Sequence, residues 1–393
     1  MRTSSVGAAR VAVLVIFFVN AIGMANWIAR IPLVKEKLGL SEGQLGLVLL
    51  GISMGVLTAL PLAGGLIARF SSRTVTTGAG LLNCLALPFL GLAPSPITLW
   101  AALYFFGMTL STMDVAMNAQ AIEVERRHGK SIMSSFHAAF SIGGFFGAGI
   151  SGLFVAVGVS IVPHFVFVSV VFAGALLVAS RYLVDVEGER TGKGERVFVL
   201  PGRALLPLGA VAFCAAIAEG TMADWSAVYL REVVGTNAGI AAAGFAGFSL
   251  TMTAGRLAGD WLIRRFDRVM LVRAGGLTAG LGFGLAVMVP EFVPVVIGFA
   301  LVGAGASFII PLVFSTAGNL PNVPSGVGIA GVATLGYSGF LAGPPLIGLV
   351  AEATSLRVSM ALVGLLIASL IISAVAVRKP AEVIASVESP KVA

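Results

Sequence analysis

The 393-residue sequence predicts an all-α integral membrane protein with about twelve transmembrane helices in two pseudo-symmetric six-helix bundles. Three observations lead to this fold class. Hydrophobic residues make up 58% of the chain and charged residues only 11%, whereas soluble domains carry about 25% charged residues. Many segments of about twenty residues are almost free of charge, and this is the length that a helix needs to cross a bilayer. The second half of the chain also resembles the first.

The apolar segments predict helices because they lack the two-residue alternation of a membrane barrel strand. A helix also satisfies every backbone amide within its own segment, as lipid requires. We number the predicted spans 1 to 12 in chain order and retain the first, which is longer than the usual core of a signal peptide. The spans cover 10–31, 44–68, 74–93, 97–122, 131–156, 161–182, 204–230, 238–262, 269–289, 292–317, 326–351 and 356–377.

The longest polar segment lies near the middle of the chain and predicts the domain organisation. We expect an N-terminal bundle over 1–184, a cytoplasmic linker over 185–203, a C-terminal bundle over 204–380 and a cytoplasmic tail over 381–393. Loops rich in Lys and Arg stay in the cytoplasm, and a cytoplasmic N-terminus places about twenty of the 25 basic residues there. The sequence therefore predicts a multi-pass inner-membrane protein with both termini cytoplasmic.

An internal repeat with an offset of 196 residues supports two homologous halves. The basic loop LIARF after span 2 matches LIRRF after span 8. The matched pairs include Arg69 with Arg265, Phe70 with Phe266, Gly107 with Gly303, and Gly143 with Gly339. A six-helix unit duplicated in parallel orientation is the basis of the major facilitator fold.

Several motifs resemble this superfamily. GGLIARFSSR (64–73) and GRLAGDWLIRRFDR (255–268) resemble its signature loop, although Ala68 replaces the usual Asp in the first copy. Four further strings resemble a bacterial branch called YbjJ-type, which is distantly similar to fucose permease. These strings are WIARIP (27–32), DVAMNAQAIEVERRHGKSIMSSFHA (114–138), AEGTMADWSAVYL (218–230) and GYSGFLAGPP (336–345). The resemblance implies a transporter with its substrate site between the two halves.

Ionisable residues within the spans are candidates for proton coupling. Each costs at least about 2.5 kcal/mol at the centre of a bilayer, so residues of this kind usually face a cavity and serve a function. Glu219 is the leading candidate because it lies near mid-depth in span 7. Asp114 in span 4 and His137 in span 5 are expected to meet as one polar unit. The alternatives are an Asp that fixes helix packing and a neutral core His. Asp224 lies about 140° from Glu219 around the helix, so both are not expected to face one narrow groove.

The candidate substrate-binding residues are mainly aromatic and amide side chains. Two Trp residues occupy corresponding places in spans 1 and 7, where they predict an aromatic floor for an amphipathic solute such as a sugar. Interface anchoring is the alternative for a Trp near a helix end. The full set is Trp27, Asn26, Asn118, Trp225 and Tyr337.

Two groups of charged residues are candidate gates. Arg30 and Asp224 are expected to pair near the external ends of spans 1 and 7, either as a gate or as a fixed bridge. The resemblance implies that a second group, at the cytoplasmic ends, holds the halves in one conformation, whereas headgroup contact is the alternative. This second group comprises Arg69, Arg73, Asp260, Arg264, Arg265 and Glu123.

Other chemistries are not supported by the sequence. There is no Gly-rich Lys-Ser/Thr loop for ATP and no metal-ligand spacing, and Cys84 and Cys214 are isolated in apolar runs. The basic residues are scattered in short pairs, which is typical of membrane topology rather than of nucleic-acid binding. We therefore expect no enzyme activity and no cofactor, and a monomer whose partners are a small molecule, protons and the bilayer.

The leading functional expectation is a proton-coupled symporter of a small polar solute, such as a sugar or related metabolite. A proton-coupled exporter of amphipathic compounds is the first alternative. Span 5 carries SIGGFFGAGISG (141–152) without the Pro that drug antiporters have there, which disfavours this alternative. A membrane receptor or scaffold is the other alternative, and it would need neither buried acids nor a cavity.

The predicted topology is tested with reporter fusions. Fusions after Ala393 and near Gly192 should both give a cytoplasmic signal, because the basic loops are retained on that side. The measurement is a paired alkaline phosphatase and green fluorescent protein assay in cells. An external signal from either fusion would contradict the topology.

Overall fold

The computed structural model describes residues 5–130, 132–186, 202, 205–321, 323 and 325–378. These residues form twelve helical spans long and apolar enough to cross a membrane, which confirms the predicted fold class. The predicted tail over 381–393 and most of the predicted linker over 185–203 lie outside the described residues.

The first six spans are single helices, and three of the last six are interrupted. Spans 1 to 6 cover Val6–Leu38, Glu42–Phe70, Ser72–Leu92, Pro96–His128, Met133–Ala156 and Ile161–Ser180. Spans 7, 9 and 11 cover Leu206–Glu232, Arg268–Met288 and Ser325–Ala353. Span 8 comprises Ala238–Ala241 and Ala243–Arg265, and span 10 comprises Phe292–Ala306 and Ile309–Gly318. Span 12 comprises Leu356–Ala368, Leu370–Ser373 and a 3₁₀ turn over Ala374–Val377.

Local capping explains the tight connection between spans 1 and 2. Span 1 ends at Gly39, whose φ of 60° places it in the left-handed region that favours glycine. Span 2 begins with a capping box, in which the Ser41 hydroxyl accepts from the Gln44 amide and the Gln44 side chain accepts from the Ser41 amide. The turn reverses the direction of the chain, and the two spans then pack against different helices: span 1 mainly against span 5, and span 2 mainly against span 4.

The internal repeat is present as a repeated helix contact. Gly107 of span 4 lies so close to the backbone carbonyl of Ile52 in span 2 that a Cβ atom would clash. Gly303 of span 10 makes the same approach to Phe248 in span 8, and Phe248 is the residue 196 positions after Ile52. Small residues allow membrane helices to approach this closely. The same pair of helices is therefore packed in the same way in each bundle.

Other glycines also allow close packing between helices. Close approaches occur at Gly51, Gly55, Gly143, Gly147 and Gly339. At Gly343, by contrast, a Cβ atom would meet nothing from another part of the described chain within 4 Å.

Among the described residues, the two bundles are joined on one side of the membrane and separate on the other. We call the joined side the closed side, and it carries the connections between spans 1 and 2 and between spans 7 and 8. Near mid-depth the Ser53 hydroxyl of span 2 donates to the Phe340 carbonyl of span 11 at 3.0 Å. Towards the closed side, Gly152 of span 5 faces Gly239 of span 8. The main apolar core continues across both bundles there.

On the opposite side, which we call the open side, the N-terminal bundle has a separate apolar cluster. Its members come from spans 1, 3, 4, 5 and 6 and the residues that follow span 6. They include Val13, Phe17, Met113, Phe136 and Leu176. Because this cluster is not continuous with the main core, the two bundles diverge towards the open side.

The outer surface of the bundles carries large exposed apolar side chains. Met288 and Ile372 are each 80% exposed, and Leu365 is 68% exposed. A water-soluble protein rarely exposes contiguous apolar surface of this kind, whereas hydrocarbon is a favourable solvent for it. The exposed belt is therefore the surface that contacts lipid.

The close approach at Gly107 gives a stability prediction. Gly107→Ala should lower the melting temperature of the purified protein. The new methyl group would clash with the backbone carbonyl of Ile52, which is fixed within span 2. Overpacking of this kind costs about 1–3 kcal/mol of stability. Gly78→Ala is the matched control, because its Cβ would meet no atom within 4 Å. Equal melting temperatures for the two variants would contradict the packing account.

Candidate functional site

A central cavity of about 410 Å³ lies between the two bundles near mid-depth. Spans 1, 2, 4 and 5 line it from the N-terminal bundle, and spans 7, 8 and 11 from the C-terminal bundle. Most of the lining is apolar, and four phenylalanines contribute to it: Phe140, Phe245, Phe248 and Phe340. The charged lining residues are Asp114, Glu219, Asp224 and Arg256.

Glu219 and Arg256 form an ion pair within the C-terminal bundle. Arg256 Nη2 of span 8 lies 2.9 Å from Glu219 Oε1 of span 7, and the side chains are 36% and 24% exposed. Each charge reduces the cost of holding the other within the bilayer. Sequence reasoning missed Arg256 because it belongs to the signature segment interpreted as a cytoplasmic loop. Its position within predicted span 8, six residues or about 9 Å before the predicted end at residue 262, is the signal that would have placed it inside the membrane.

Asp114 faces the cavity from span 4. Asn118, one turn further along, donates from Nδ2 to the Asp114 carbonyl at 2.9 Å and to Asp114 Oδ1 at 3.3 Å. No cation contacts this carboxylate in the part of the chain that the structure describes. Tyr337 of span 11 also lines the cavity and is close enough to interact electrostatically with Asp114. Asn118 itself is not among the lining residues.

Asp224 lines the cavity together with Glu219, although the two lie on different faces of span 7. Both can line the same space because the cavity is much wider than the narrow groove beside one helix that the sequence analysis considered. The Asp224 side chain is half-buried. Across the described ranges it has neither a hydrogen-bond partner nor an ion-pair partner.

Arg30 does not pair with Asp224 in this conformation. Arg30 Nε donates to His164 Nδ1 of span 6 at 3.1 Å, and Nη2 donates to the Val159 carbonyl at 2.9 Å. His164 Nε2 therefore carries the hydrogen and donates to Asn26 Oδ1 at 2.8 Å. The predicted gate pair is absent because the guanidinium is directed towards the connection between spans 5 and 6. Asn26 and Arg30 belong to a buried network that holds span 1 against span 6.

The two predicted tryptophans are buried in the core rather than in the cavity wall. Trp27 and Trp225 are each 0% exposed, and neither indole nitrogen has a hydrogen-bond partner among the described residues. The aromatic floor expected from them is not formed in this conformation. Tyr337 and the four phenylalanines supply the aromatic lining instead.

The expected unit of Asp114 and His137 is not formed either. His137 makes an edge contact with the Phe17 ring, with 5.3 Å between ring centroids. No described hydrogen bond joins it to Asp114, whose carboxylate contacts Asn118 in its own helix. His137 is exposed, and it is close enough to Arg256 to interact electrostatically.

The predicted cytoplasmic gating residues make contacts within one bundle. Arg126 and Arg127 each bind Glu123, at 2.9 and 2.7 Å. Arg73 lies 4.0 Å from Asp185, and the Arg69 guanidinium lies over the Phe70 ring. No ion pair in the described ranges joins the two bundles on the open side. Two further candidates, Arg264 and Arg265, are exposed in the last turn of span 8, and the side chain of Asp260 lies outside the described residues.

An ion-pair cluster joins the bundles on the closed side instead. Lys35 Nζ lies 2.7 Å from Glu232 Oε1 of span 7 and 3.2 Å from Glu42 Oε1 of span 2. Arg231 of span 7 lies 3.6 Å from Glu36 of span 1. Sequence reasoning placed Lys35 in a loop because span 1 was predicted to end at residue 31. The helix in fact passes through Pro32 and continues to Leu38.

Comparisons with known proteins agree with this architecture. The family model described as Major Facilitator Superfamily matches residues 13–337. An uncharacterised MFS-type transporter of Yersinia pestis is 38% identical over 363 residues, which are 92% of this chain and 94% of that protein. The membrane protein MosC of Rhizobium meliloti is 33% identical over 343 residues, which are 86% of this chain and 83% of that protein.

Solved structures share the fold at much lower identity. The nucleoside transporter NupG is 12% identical with a TM-score of 0.76, covering 94% of this chain and 98% of that chain. A bacterial homolog of the human lysosomal transporter Spinster, in an inward-facing and occupied conformation, is 15% identical with a TM-score of 0.73. That match covers 93% of this chain and 95% of the other. With twelve spans, two matching bundles, a central cavity and a family model covering most of its length, the chain belongs to the Major Facilitator Superfamily.

Proposed function

We propose that the protein is a proton-coupled secondary transporter that moves a small polar solute, such as a sugar or related metabolite, by alternating access. The observation that carries the proposal is the central cavity, which is lined by ionisable residues from both bundles and closed on one side by ion pairs. With both termini in the cytoplasm, the open side is cytoplasmic and this conformation is inward-facing. The motif resemblance to the YbjJ-type branch supports the transporter fold rather than a particular solute.

The closed-side contacts are suited to a reversible switch. Partly exposed ion pairs each contribute only about 0–1 kcal/mol, because water and salt screen them. The bundle over 1–184 and the bundle over 204–380 would rock about the cavity, with the segment 185–203 as their linker. Separation of Lys35 from Glu232 would open one side while the other side closes.

Glu219 remains our proposed principal proton carrier. Its carboxylate lies in the cavity and is paired with Arg256, so protonation would remove the negative charge that holds the guanidinium. Burial of a carboxyl group favours its neutral form, and an adjacent cation opposes this. A carrier of this kind can alternate between a paired, ionised form and a released, neutral form. Asp114 is the second candidate for proton coupling, and His137, which is exposed, is the third.

The apolar character of the cavity wall supports a second candidate function. Apolar lining residues from both bundles outnumber the polar ones and include Met24, Ile28, Leu49, Leu57 and Met252. A wall of this kind favours the proton-coupled export of amphipathic compounds. The direction of solute movement against an imposed pH gradient distinguishes the two candidates.

Transport in proteoliposomes tests the proposal and the role of Glu219 together. A panel of sugars, related polar metabolites and amphipathic compounds is added one at a time, and proton movement is followed with a trapped pH-sensitive dye. For an active solute, Glu219→Gln should abolish accumulation driven by a pH gradient, because the side chain can no longer release a proton. Exchange of labelled for unlabelled solute at equal pH should survive, since the neutral form still permits rocking.

The control for this experiment is Glu291→Gln, which removes a carboxylate at an exposed position between spans 9 and 10. Unchanged gradient-driven accumulation in Glu219→Gln would exclude Glu219, and Asp114 would become the leading candidate. A wild-type protein that supports neither solute exchange nor solute-linked proton movement would contradict the transporter assignment.

Loss of the closed-side ion pairs should shift the conformational equilibrium. Lys35→Met should raise labelling of a cysteine at Ser249, a cavity residue, by a membrane-impermeant maleimide added from the closed side. We expect labelling to increase by up to about fivefold for each ion pair lost, because a partly exposed pair contributes about 0–1 kcal/mol. The experiment uses a protein in which the two native cysteines, Cys84 and Cys214, are replaced, so that the introduced cysteine alone reacts with the maleimide.

Lys37→Met is the matched control for Lys35→Met. Among the described residues, Lys37 Nζ donates to the carbonyls of Gly91 and Ala93, which belong to the same bundle. Equal labelling of the Lys35→Met and Lys37→Met proteins would show that the ion-pair cluster does not hold the closed side together.

A further inference from the structure

We propose that a groove on the outer surface of the C-terminal bundle binds an anionic phospholipid, whose phosphodiester headgroup contacts Arg273 and Arg378. The groove lies between spans 9 and 12 at their open-side ends and has a volume of about 490 Å³. It shares no lining residue with the central cavity. The proposal therefore does not depend on the proposed transport function.

Close packing of spans 9 and 12 ends just before the groove. A Cβ atom on Gly276 would lie 2.8 Å from Leu370 Cβ and 2.9 Å from the Ile367 carbonyl, so the two helices touch there. One turn nearer the open side, Arg273 Nε donates to the Ile371 carbonyl at 2.9 Å. This bond holds the guanidinium at the inner end of the groove. Its two terminal nitrogens have no hydrogen-bond partner in the part of the chain that the structure describes.

The second guanidinium lies at the outer end of the groove. Arg378 follows the 3₁₀ turn that ends span 12, and its side chain has no partner among the described residues. Ile371 and Arg378 are seven residues, or about 10 Å, apart along span 12. Two long arginine side chains at this separation can contact the same headgroup.

The positive charge of the groove is not matched by the protein. No carboxylate in the described ranges is within ion-pair distance of Arg273 or Arg378. Asp267 is the one carboxylate that lines the groove, and its Oδ1 accepts from the Met270 amide at 2.9 Å as the cap of span 9. An arginine stays charged under all physiological conditions. The two guanidiniums are therefore available to an anion from outside the chain.

The surroundings of the groove indicate a lipid rather than a soluble anion. Met270, Leu277 and Ile371 line it and are 56%, 48% and 37% exposed, and the adjacent Ile372 is 80% exposed. These side chains continue the groove into the apolar belt that contacts lipid. Basic pockets between membrane helices bind anionic headgroups, and a guanidinium binds phosphate through paired N–H donors. A phospholipid supplies a phosphate for the arginines and acyl chains for the apolar rim.

The test compares two phospholipids with identical acyl chains, dioleoylphosphatidylglycerol and dioleoylphosphatidylcholine. Binding of the first lipid molecule to the purified full-length protein is measured by native mass spectrometry during a titration in detergent. We expect phosphatidylglycerol to bind at least about fivefold more tightly, because its headgroup carries no cation to oppose the arginines. Arg273→Gln and Arg378→Gln should each weaken phosphatidylglycerol binding by about fivefold, the effect of one basic residue near an anionic lipid. Unchanged binding of phosphatidylcholine would show that the variants are folded.

Arg181→Gln is the matched control for the two arginine variants. Arg181 is exposed at the open-side end of span 6, which is the counterpart of span 12 in the internal repeat, and it does not line the groove. Its loss should leave the affinity for both lipids unchanged. An equal loss of phosphatidylglycerol affinity in Arg181→Gln and in the groove variants would reveal general attraction to a basic surface and would overturn the proposed site.

A competition experiment separates a lipid site from a site for soluble anions. Glycerophosphoglycerol has the same headgroup without acyl chains, and it should not displace phosphatidylglycerol at equal concentration, because it makes no contact with the apolar rim. Displacement would assign the groove to a soluble anion and contradict the proposal. Equal affinity for the two phospholipids, or full phosphatidylglycerol affinity in both groove variants, would also overturn it.

Discussion

The lipid's inability to hydrogen-bond or to solvate charge is the constraint on which the rest of this structure depends. It requires helices for every span, because only then is each backbone amide satisfied within its own segment. It also requires a partner for each polar side chain. Thr221 donates to the Ile217 carbonyl one turn back, and the Glu219 carboxylate is matched by Arg256. The carboxylates of Asp114 and Asp224, which contact no cation among the described residues, lie beside the cavity between the bundles.

The same constraint explains how the bundles are held together. There is little hydrophobic driving force between helices in lipid, so association depends on close packing of small residues. Within each bundle this packing is tight, as at Gly107 and Gly303. Between bundles it is concentrated on the closed side and supplemented by ion pairs such as Lys35 with Glu232. Strong contacts within the bundles and weaker, separable contacts between them are the mechanical requirement for rocking without unfolding.

The buried charges divide into two kinds with different chemical roles. Arg30 is almost fully buried, and its described donors reach the His164 ring and the Val159 carbonyl within the N-terminal bundle. This arrangement fixes helices and leaves nothing for a solute to bind. Asp114 and Asp224 face the cavity from opposite bundles, and neither contacts a cation in the described ranges. The partners of these two carboxylates therefore depend on what enters the cavity, whereas the partners of Arg30 are determined by the fold.

The sequence by itself determined the membrane environment, the twelve helices, the duplicated bundles and the depth of Glu219 and Asp114, because hydropathy and a constant repeat offset are local or linear properties. Only the tertiary structure decided which side chains meet. Arg30 binds His164 rather than Asp224, and Trp27 lies in the core rather than in the cavity. Depth along a helix can be read from residue number at 1.5 Å per residue. Which group a side chain contacts also depends on its direction around the helix and on which helix lies on that side. The positions of the neighbouring helices depend on packing between segments that are distant in the sequence.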